Sequence, residues 1–327
     1  MANIFILILI SVASMDMEVE IAPVYSFPNE GANYFLDFIT QTEFLSEEEI
    51  LICDQPSSQL LLISLTGEYL GQIGETGNGP GEFYNPLGIS IHNGKILIID
   101  QNNRQIQVFN STGQFSYSFK TLEALSAIVA NDDSIFGNVN YPVVETDKLI
   151  TEFSYTGKVK RRFGTRLYIE KKLSPKTSAS FIRLKDDTIH ILFKYYPVIK
   201  SYEITSNYEK TIELDYSTYG ERVPENYRWS KITSDKRSLP LKYLFKGFKV
   251  TSKGYYLGLM DKDLIIDHVS LEGELLKRYI CRQPDERDFY LFDILIDDKG
   301  ELPKFIVTCR KNDEGIVEIY KPLSGGL

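Results

Sequence analysis

The chain has 327 residues, 43% of them apolar, which is enough to bury the core of one large domain or of two ordinary ones. Its 21 tyrosines and 19 phenylalanines, together with 22 glycines and 13 prolines, favour strands separated by turns. The formal net charge of −9 at pH 7 argues against a general affinity for nucleic acid, because polyanions bind basic surfaces.

The N-terminal segment contains an apolar run, residues 4–10, that is too short to span a bilayer. The small residues Val12, Ala13 and Ser14 follow it, as small residues do before a cleavage site. The run predicts a signal peptide in residues 1–14, and therefore export, although no Lys or Arg precedes it. A buried edge strand is the alternative interpretation. No other run has the length of a transmembrane segment, and none is predicted.

A unit of four short strands recurs through the rest of the chain. Its turn glycines, Gly67, Gly113 and Gly157, are 46 and 44 residues apart, and glycine suits a hairpin turn that needs a positive φ. This spacing is the period of a propeller blade. The sequence therefore predicts an all-β fold, a six-bladed β-propeller with four antiparallel strands per blade, as a single domain over residues 17–327. The copies lie at residues 50–74, 96–120, 135–164, 189–215, 255–280 and 305–326.

The two ends of the repeat complement each other. The sixth copy stops after its third strand, and residues 17–28 form an unpaired strand ahead of the first unit. We expect residues 19–27 to pair as the outermost strand of the last blade, since this closes the ring and removes an exposed sheet edge.

The glycine-rich stretch at residues 74–91 raises the question of a phosphate-binding loop. Such a loop needs Gly-Lys-Ser/Thr before a helix, but Gly79-Pro80-Gly81-Glu82 follows here, with a missing amide donor at Pro80 and a repelling charge at Glu82. The stretch predicts instead the crossover into the second blade, with Phe83 between blades.

Metal chemistry has two sets of candidate ligands. His92, His190 and His268 fall at three different depths of a blade and are expected to be satisfied surface or core residues. Asp37 and Asp293 interrupt the apolar first strands of units one and six, which become neighbours in a closed ring. They could hold a divalent cation or act as an acid and base near the channel, or else accept backbone amides structurally. The metal ligands are therefore left undetermined. No other cofactor is predicted.

The cysteines do not indicate a disulfide framework. Cys53, Cys281 and Cys309 show no C-x-x-C pair and no metal-ligand spacing, and two of them lie in apolar strand-like runs.

A tyrosine- and arginine-rich set is expected on the loops of the entry side, where the blade-entry loops and the turns between second and third strands lie. These side chains are typical anchors of binding surfaces, and aromatic rings stack on sugars and peptides. Arg104, in the turn Asp100–Arg104, could meet an anion or tie blades together. Residues 216–243, an insertion between the fourth and fifth units, carry the single Trp. The predicted ligand-binding residues are Tyr84, Arg104, Tyr141, Arg166, Tyr195, Tyr196, Trp229 and Arg282, with Tyr227 beside Trp229.

Residues 77–115 resemble the NHL repeat. They contain a Gly-rich stretch ending in Phe83, the inner strand Pro86-Leu87-Gly88-Ile89, and the hairpin Asp100-Gln-Asn-Asn-Arg104-Gln-Ile-Gln-Val-Phe109. The whole chain resembles six-bladed propeller proteins of Bacteroides-like bacteria. That resemblance implies export, often with a lipid anchor, but Met15 stands where a lipoprotein needs a cysteine. RNA binding, which occurs among NHL propellers, is disfavoured by the acidic charge balance.

The sequence thus predicts an exported binding or scaffold module, periplasmic or at the cell surface. Its partner would be a protein, peptide or glycan bound through the loop-rich entry face. The alternative is a lyase or hydrolase that uses the channel carboxylates Asp37 and Asp293 with a divalent cation.

Overall fold

The computed structural model describes residues 17–141, 148–169, 172–173, 180–219, 243–260, 263–282, 290–297, 299–300, 302–311 and 314–323. The predicted signal peptide and most of the predicted insertion lie outside these residues. No helix within the described ranges is long and apolar enough to cross a membrane. In chain order the elements are β1 (Glu18–Phe27), β2 (Ile39–Phe44), β3 (Glu49–Asp54), β4 (Gln59–Ser64), β5 (Tyr69–Ile73), β6 (Glu75–Thr76), β7 (Glu82–Phe83), β8 (Pro86–His92), β9 (Lys95–Asp100), β10 (Gln105–Asn110), β11 (Phe115–Lys120), β12 (Ala124–Ala130), β13 (Ile135–Tyr141), β14 (Lys148–Phe153), β15 (Val159–Thr165), β16 (Tyr168–Ile169), β17 (Lys172–Leu173), β18 (Ser180–Lys185), β19 (Thr188–Phe193), β20 (Val198–Glu203), β21 (Glu209–Glu213), α1 (Tyr216–Tyr219), β22 (Gly247–Thr251), β23 (Gly254–Met260), β24 (Leu264–Val269), β25 (Leu275–Cys281), β26 (Tyr290–Asp297), β27 (Lys304–Lys311) and β28 (Glu314–Pro322).

The strands form the predicted six-bladed propeller. Blades 1 to 5 are β2–β5, β8–β11, β12–β15, β18–β21 and β22–β25, each an antiparallel four-stranded sheet, and blade 6 is β26–β28 with β1. The first strands β2, β8, β12, β18, β22 and β26 contact one another around a closed circle, so they line the central channel. Two pairs of short strands lie in the connections between blades. The parallel pair β6–β7 is in the connection into blade 2, and the antiparallel pair β16–β17 is in the connection into blade 4.

The burial of each strand follows its position in the blade. Second strands such as β9, Lys95–Asp100, are buried from their second residue onward, because neighbouring blades cover both faces of the sheet. The outer strand β11 alternates partly buried and exposed residues over Phe115–Lys120, since only one of its faces meets a neighbour. The strand-like apolar runs of the sequence therefore correspond to middle strands.

Ring closure by the N-terminal strand is confirmed, with one difference. Residues Ile21–Phe27 of β1 pair antiparallel with β28, as expected for the outermost strand of blade 6. Residues Glu18–Glu20 pair instead in parallel with β25 of blade 5. The reason is length: β28 ends at Pro322 opposite Ile21, so the earlier residues of β1 run past it and take the free edge of β25.

The glycine-rich stretch is a blade connection that packs on Phe83. The Phe83 side chain is fully buried in the cluster shared by blades 1 and 2, with its ring 5.6 Å from that of Phe109. Gly74 has a φ of +83°, and a Cβ at this position would collide with the Phe83 ring. The glycine therefore allows both the turn and the close approach of the ring.

None of the three cysteines is in a disulfide, and all three are buried. Burial raises the pKa of Cys53 to about 12, even though Thr40 contributes a hydrogen bond that opposes this shift. The same cause raises the pKa of Cys281 and Cys309. Buried, protonated thiols of this kind act as small apolar side chains.

His190 joins blades 4 and 5 in its neutral form. Its Nδ1 lies 2.9 Å from Ser201 Oγ and 3.1 Å from Tyr255 Oη. Burial lowers the pKa of His190 to about 4, against a smaller opposing effect of Asp186. The folded protein therefore resists protonation where the unfolded chain accepts it.

We expect this histidine to make stability depend on pH. Below pH 6.5 the unfolded chain binds a proton at His190 and the folded protein does not, so stability falls by about 2 kcal/mol between pH 6.5 and about pH 5. Denaturant unfolding measured across this range should show the slope, and His190→Gln should flatten it. An unchanged slope in the variant would assign the effect to other groups.

Candidate functional site

The upper face of the propeller carries the loops that lead into each first strand and the turns between second and third strands. A cavity of about 260 Å³ opens there at the mouth of the central channel. All six blades contribute to its wall, which places it on the axis of the ring. The residues that show this, one from each blade in order, are Gln41, Leu87, Ala127, Arg183, Lys246 and Asp293.

The wall of this upper cavity combines cations with aromatic rings. Lys194, in the turn between β19 and β20, places its Nζ 4.4 Å from the centre of the Phe181 ring and 5.4 Å from that of Tyr243. Burial lowers the pKa of Lys194 to about 8, while Asp293 acts in the opposite direction. Rings facing an ammonium stabilise its charge, and they do so more strongly where water is excluded.

A buried cluster of charges lies below the cavity. Lys249 Nζ is 3.0 Å from Glu43 Oε1, and Gln41 Nε2 donates to the same oxygen at 2.8 Å. Arg183 Nη2 lies between the two carboxylates, 4.0 Å from Glu43 Oε1 and 3.7 Å from Asp293 Oδ1. These four charged side chains come from β2, β18, β22 and β26, so they cross the channel.

The two carboxylates of this cluster titrate differently. Burial opposes ionisation of Glu43, but Lys249 and Arg183 outweigh it and hold the pKa of Glu43 below its ordinary value. Burial dominates at Asp293 and raises its pKa in spite of the same two cations. Asp293 also accepts backbone amides, from Thr42 at 3.2 Å and from Ile294 at 2.9 Å.

Asp37 and Asp293, the acid pair considered from the sequence, each lie beside a different arginine. Asp37 lies two residues before β2 rather than inside it, is partly exposed, and pairs with Arg310 across 3.6 Å. Its placement in the first strand is therefore wrong, because Phe38 and Asp37 are held in the preceding loop by Asp54. The Asp54 carboxylate accepts both backbone amides, at 3.3 Å and 3.2 Å.

Asp100 has the same structural role in blade 2. Its fully buried carboxylate accepts the Tyr84 amide at 2.9 Å and the side-chain amides of Asn103, Gln105 and Gln107. A buried carboxylate with several donors is well satisfied and fixes the backbone around it. The hairpin Asp100–Phe109 thus shapes the upper face through Asp100.

Three predicted ligand-binding residues are buried, and their expected exposure is wrong. Tyr195 and Tyr196 belong to the core cluster of blades 3 and 4, with the Tyr195 ring centre 4.8 Å from that of Tyr243. Arg166 turns inward and donates to the Val139 carbonyl at 3.2 Å. Arg166 comes directly after the outer strand β15, and Tyr195 and Tyr196 come shortly after the middle strand β19. These positions let all three side chains fold into the gap between blades.

The remaining predicted residues are spread over the upper face. Tyr84 is exposed, and Arg104, with a φ of +50°, is exposed beside a second cavity of about 260 Å³ that Leu122 and Glu123 also line. Arg282 is exposed but pairs with Glu18 at 3.1 Å and Glu20 at 3.5 Å. Tyr227, Trp229 and the side chain of Tyr141 lie outside the described part of the chain.

The histidines are separate from one another. His92 Nε2 lies 2.9 Å from Asp132, His190 is in the core, and His268 Nε2 lies 2.9 Å from the Lys253 carbonyl. Among the described residues no group of three or more His, Cys, Asp or Glu side chains is arranged to hold a metal ion.

The sequence reading missed Glu43, Arg183, Lys194 and Lys249. A usable signal existed: three of the four are charged residues within apolar first strands, the pattern that drew attention to Asp293. Lys194 carried no such signal, because its position over Phe181 and Tyr243 depends on how a turn, the strand β18 and the connection into blade 5 meet.

Comparison with known proteins supports the fold. A family model described as a 6-bladed beta-propeller, DUF5128, matches residues 34–263. A protein of Bacteroides fragilis described as exported superposes with a TM-score of 0.63 at 13% identity, covering 94% of this chain and 99% of that one. A DUF4221 family member from Bacteroides vulgatus gives 0.55 at 11% identity, with coverages of 94% and 100%. At these identities the likeness shows the fold alone.

A short match to animal proteins adds local similarity. Tripartite motif-containing protein 2 of cattle and of human is 45% identical over 49 residues, 15% of this chain. The matched segment spans only 7% of the length of those proteins. The family model, in contrast, covers most of the chain, and the chain therefore belongs to the DUF5128 family of six-bladed β-propellers.

Proposed function

We propose that the protein is an exported binding module whose upper face recognises a protein, peptide or glycan. The observation that carries the proposal is a group of exposed apolar side chains on the loops into three adjacent blades. They are Phe35 and Phe38 before blade 1, Tyr84 before blade 2 and Leu122 before blade 3, exposed by 57%, 37%, 53% and 79%.

This apolar rim has the properties of a binding surface. Large exposed apolar side chains that share one face are typical of interaction sites, and aromatic residues are common anchors. Phe38 also lines the upper cavity, so the rim continues into the channel mouth. The backbone beneath Phe38 and Tyr84 is held by Asp54 and Asp100, which reduces the ordering cost of binding. Apolar anchors of this kind favour a protein or peptide over a glycan.

The insertion at residues 216–243 is proposed to extend this face. Its two described ends reach the upper side: Tyr219 in α1 donates to Asp267 at 3.1 Å, and Tyr243 lines the upper cavity. Residues 1–14 are proposed to act as the signal peptide, and the exported description of the Bacteroides fragilis neighbour supports this. The NHL assignment of residues 77–115 remains a proposal.

The metal-dependent lyase or hydrolase is less well supported. Asp293 faces Arg183 at 3.7 Å and Asp37 faces Arg310 at 3.6 Å, so each proposed ligand already has a cationic neighbour. A divalent cation beside these guanidinium groups would be repelled.

The binding proposal predicts that polar substitutions on the rim remove a partner. We expect Phe35→Ser/Tyr84→Ser/Leu122→Ser to lose a protein or peptide that the wild-type protein captures from an envelope extract. The matched control is Tyr208→Ser/Leu271→Ser, which removes side chains that are 59% and 40% exposed on turns of the lower face. Quantitative mass spectrometry of the captured material measures the difference. Equal capture by both variants would contradict the use of the upper face.

A further inference from the structure

The upper cavity has more positive than negative charge. Three cations, Arg183, Lys194 and Lys246, line it together with one carboxylate, Asp293. Below it, Lys249 and Glu43 neutralise each other as a close pair. Among the described residues that line the cavity, positive charges therefore outnumber negative ones.

The guanidinium of Arg183 is only partly satisfied. Its Nη1 donates to the Ile182 carbonyl at 2.9 Å, whereas Nη2 is 3.7 Å from Asp293 and 4.0 Å from Glu43, beyond hydrogen-bond distance. Its Nε is buried and has no hydrogen-bond partner among the described residues. Nη2 is therefore the unused guanidinium donor that a carboxylate in the cavity could reach.

Lys194 presents a second set of unused donors. Its ammonium lies over the rings of Phe181 and Tyr243, and no oxygen acceptor is recorded for it within the described ranges. The rings stabilise the charge but accept no conventional hydrogen bond. Burial also lowers the pKa of Lys194 to about 8, which shows how little solvation this ammonium receives. An anion placed here would supply the missing acceptor.

We propose that the upper cavity is a binding site for the carboxylate of a small organic acid, held by Lys194 and Arg183. The volume of about 260 Å³ lies below the roughly 300–1,000 Å³ of pockets for drug-sized ligands, so the ligand is the size of a sugar acid or a simple aromatic acid. The rings of Phe38, Phe181 and Tyr243 provide apolar contact for its body. Asp293 sets the selectivity, because it repels a second negative charge on the same ligand.

This site is independent of the macromolecular partner proposed above. The rim variant Phe35→Ser/Tyr84→Ser/Leu122→Ser leaves the cations in place, so it should still bind a small acid. Loss of acid binding in that variant would show that the cavity alone is not the site.

The test uses calorimetric titration of the purified chain with glucuronate and benzoate, each compared with its uncharged counterpart, glucose and benzamide. We expect saturable binding of at least one acid and none of its counterpart. Lys194→Met should weaken that binding by about tenfold or more, since it removes a charged donor but keeps the chain length. Lys185→Met is the matched control on the same blade, because Lys185 pairs with Asp186 at the lower mouth of the channel.

Two outcomes would overturn the proposal: no binding of either acid at millimolar concentration, or equal affinity in both lysine variants. If Lys194→Met fails to fold by circular dichroism, Lys194→Gln provides the same removal of charge with a polar side chain. The distinction between glucuronate and benzoate then identifies whether the apolar wall accepts a sugar or an aromatic ring.

Discussion

A chain that begins after Phe27, and so lacks β1, is expected not to form a folded monomer. β1 contributes pairing to both β28 and β25, and without it each of these strands presents an open edge. Its side chains Val19 and Ile21 are buried with blades 5 and 6, and Phe27 is buried with blades 6 and 1. One strand thus ties three blades together, and its loss removes the closure of the ring.

Size-exclusion chromatography and circular dichroism would measure this effect. A chain that begins at Met17 serves as the control, because it keeps all of β1, and it should elute as the full-length protein does. A folded, monomeric product from the shorter chain would contradict closure by β1.

A point substitution tests the same closure without removing β1. Phe27→Ala should lower the free energy of unfolding by about 3–5 kcal/mol, because it empties a fully buried aromatic position. Tyr25→Ala, two residues earlier on the same face of β1 but at an exposed position, loses a hydrogen bond from Tyr25 Oη to the Thr66 carbonyl and should cost about 1 kcal/mol. Similar losses from both would show that Phe27 does not anchor blade 1.

Lys249→Met is expected to lower the free energy of unfolding by about 3 kcal/mol. Among the described residues, the substitution leaves the Glu43 carboxylate with the Gln41 amide and with one cation, Arg183 at 4.0 Å, and breaking one side of a buried pair is strongly destabilising. The double variant Lys249→Met/Glu43→Gln should recover most of the loss, because it removes the uncompensated charge. Denaturant midpoints of the wild type and the single and double variants provide this comparison.

Acid titration gives an independent measure of the same cluster. Since the pKa of folded Glu43 lies below its ordinary value of 4.5, its stabilisation is present above that pH and is lost as the pH falls through the folded value. The double variant should lack this component. If the double variant were as unstable as Lys249→Met, the loss would come from packing and not from charge.

The sequence was sufficient for the architecture because the blade is defined locally. The turn glycines Gly67, Gly113 and Gly157 have φ angles near +80°, as their spacing in hairpins implied, and each one packs against a side chain of the preceding blade. The glycine-rich residues around Phe83 in the sequence were enough to predict its position between blades. The incomplete sixth copy and the surplus strand at the N-terminus likewise predicted that these two segments pair to complete blade 6.

The site could be predicted less well from the sequence, because it depends on where segments that are distant in the chain meet. Tyr195 and Tyr196 are in a turn, which suggested exposure, but that turn folds back onto the core of blades 3 and 4. Glu43 and Lys249 are about 200 residues apart in sequence and become a 3.0 Å pair only when six blades close around one axis. A charged residue in an apolar first strand indicates such a channel group, while its partner comes only from the closed ring.

We propose that the upper face, around the channel mouth, is the binding face of this propeller. Site-specific photo-crosslinking in the producing organism tests it directly, with a photoreactive phenylalanine analogue placed at Phe35 on the upper face or at Tyr208 on the lower face. Both positions are exposed, so incorporation should leave the fold intact. We expect a discrete crosslinked adduct from position 35 and none from position 208. An adduct from position 208 alone would contradict it.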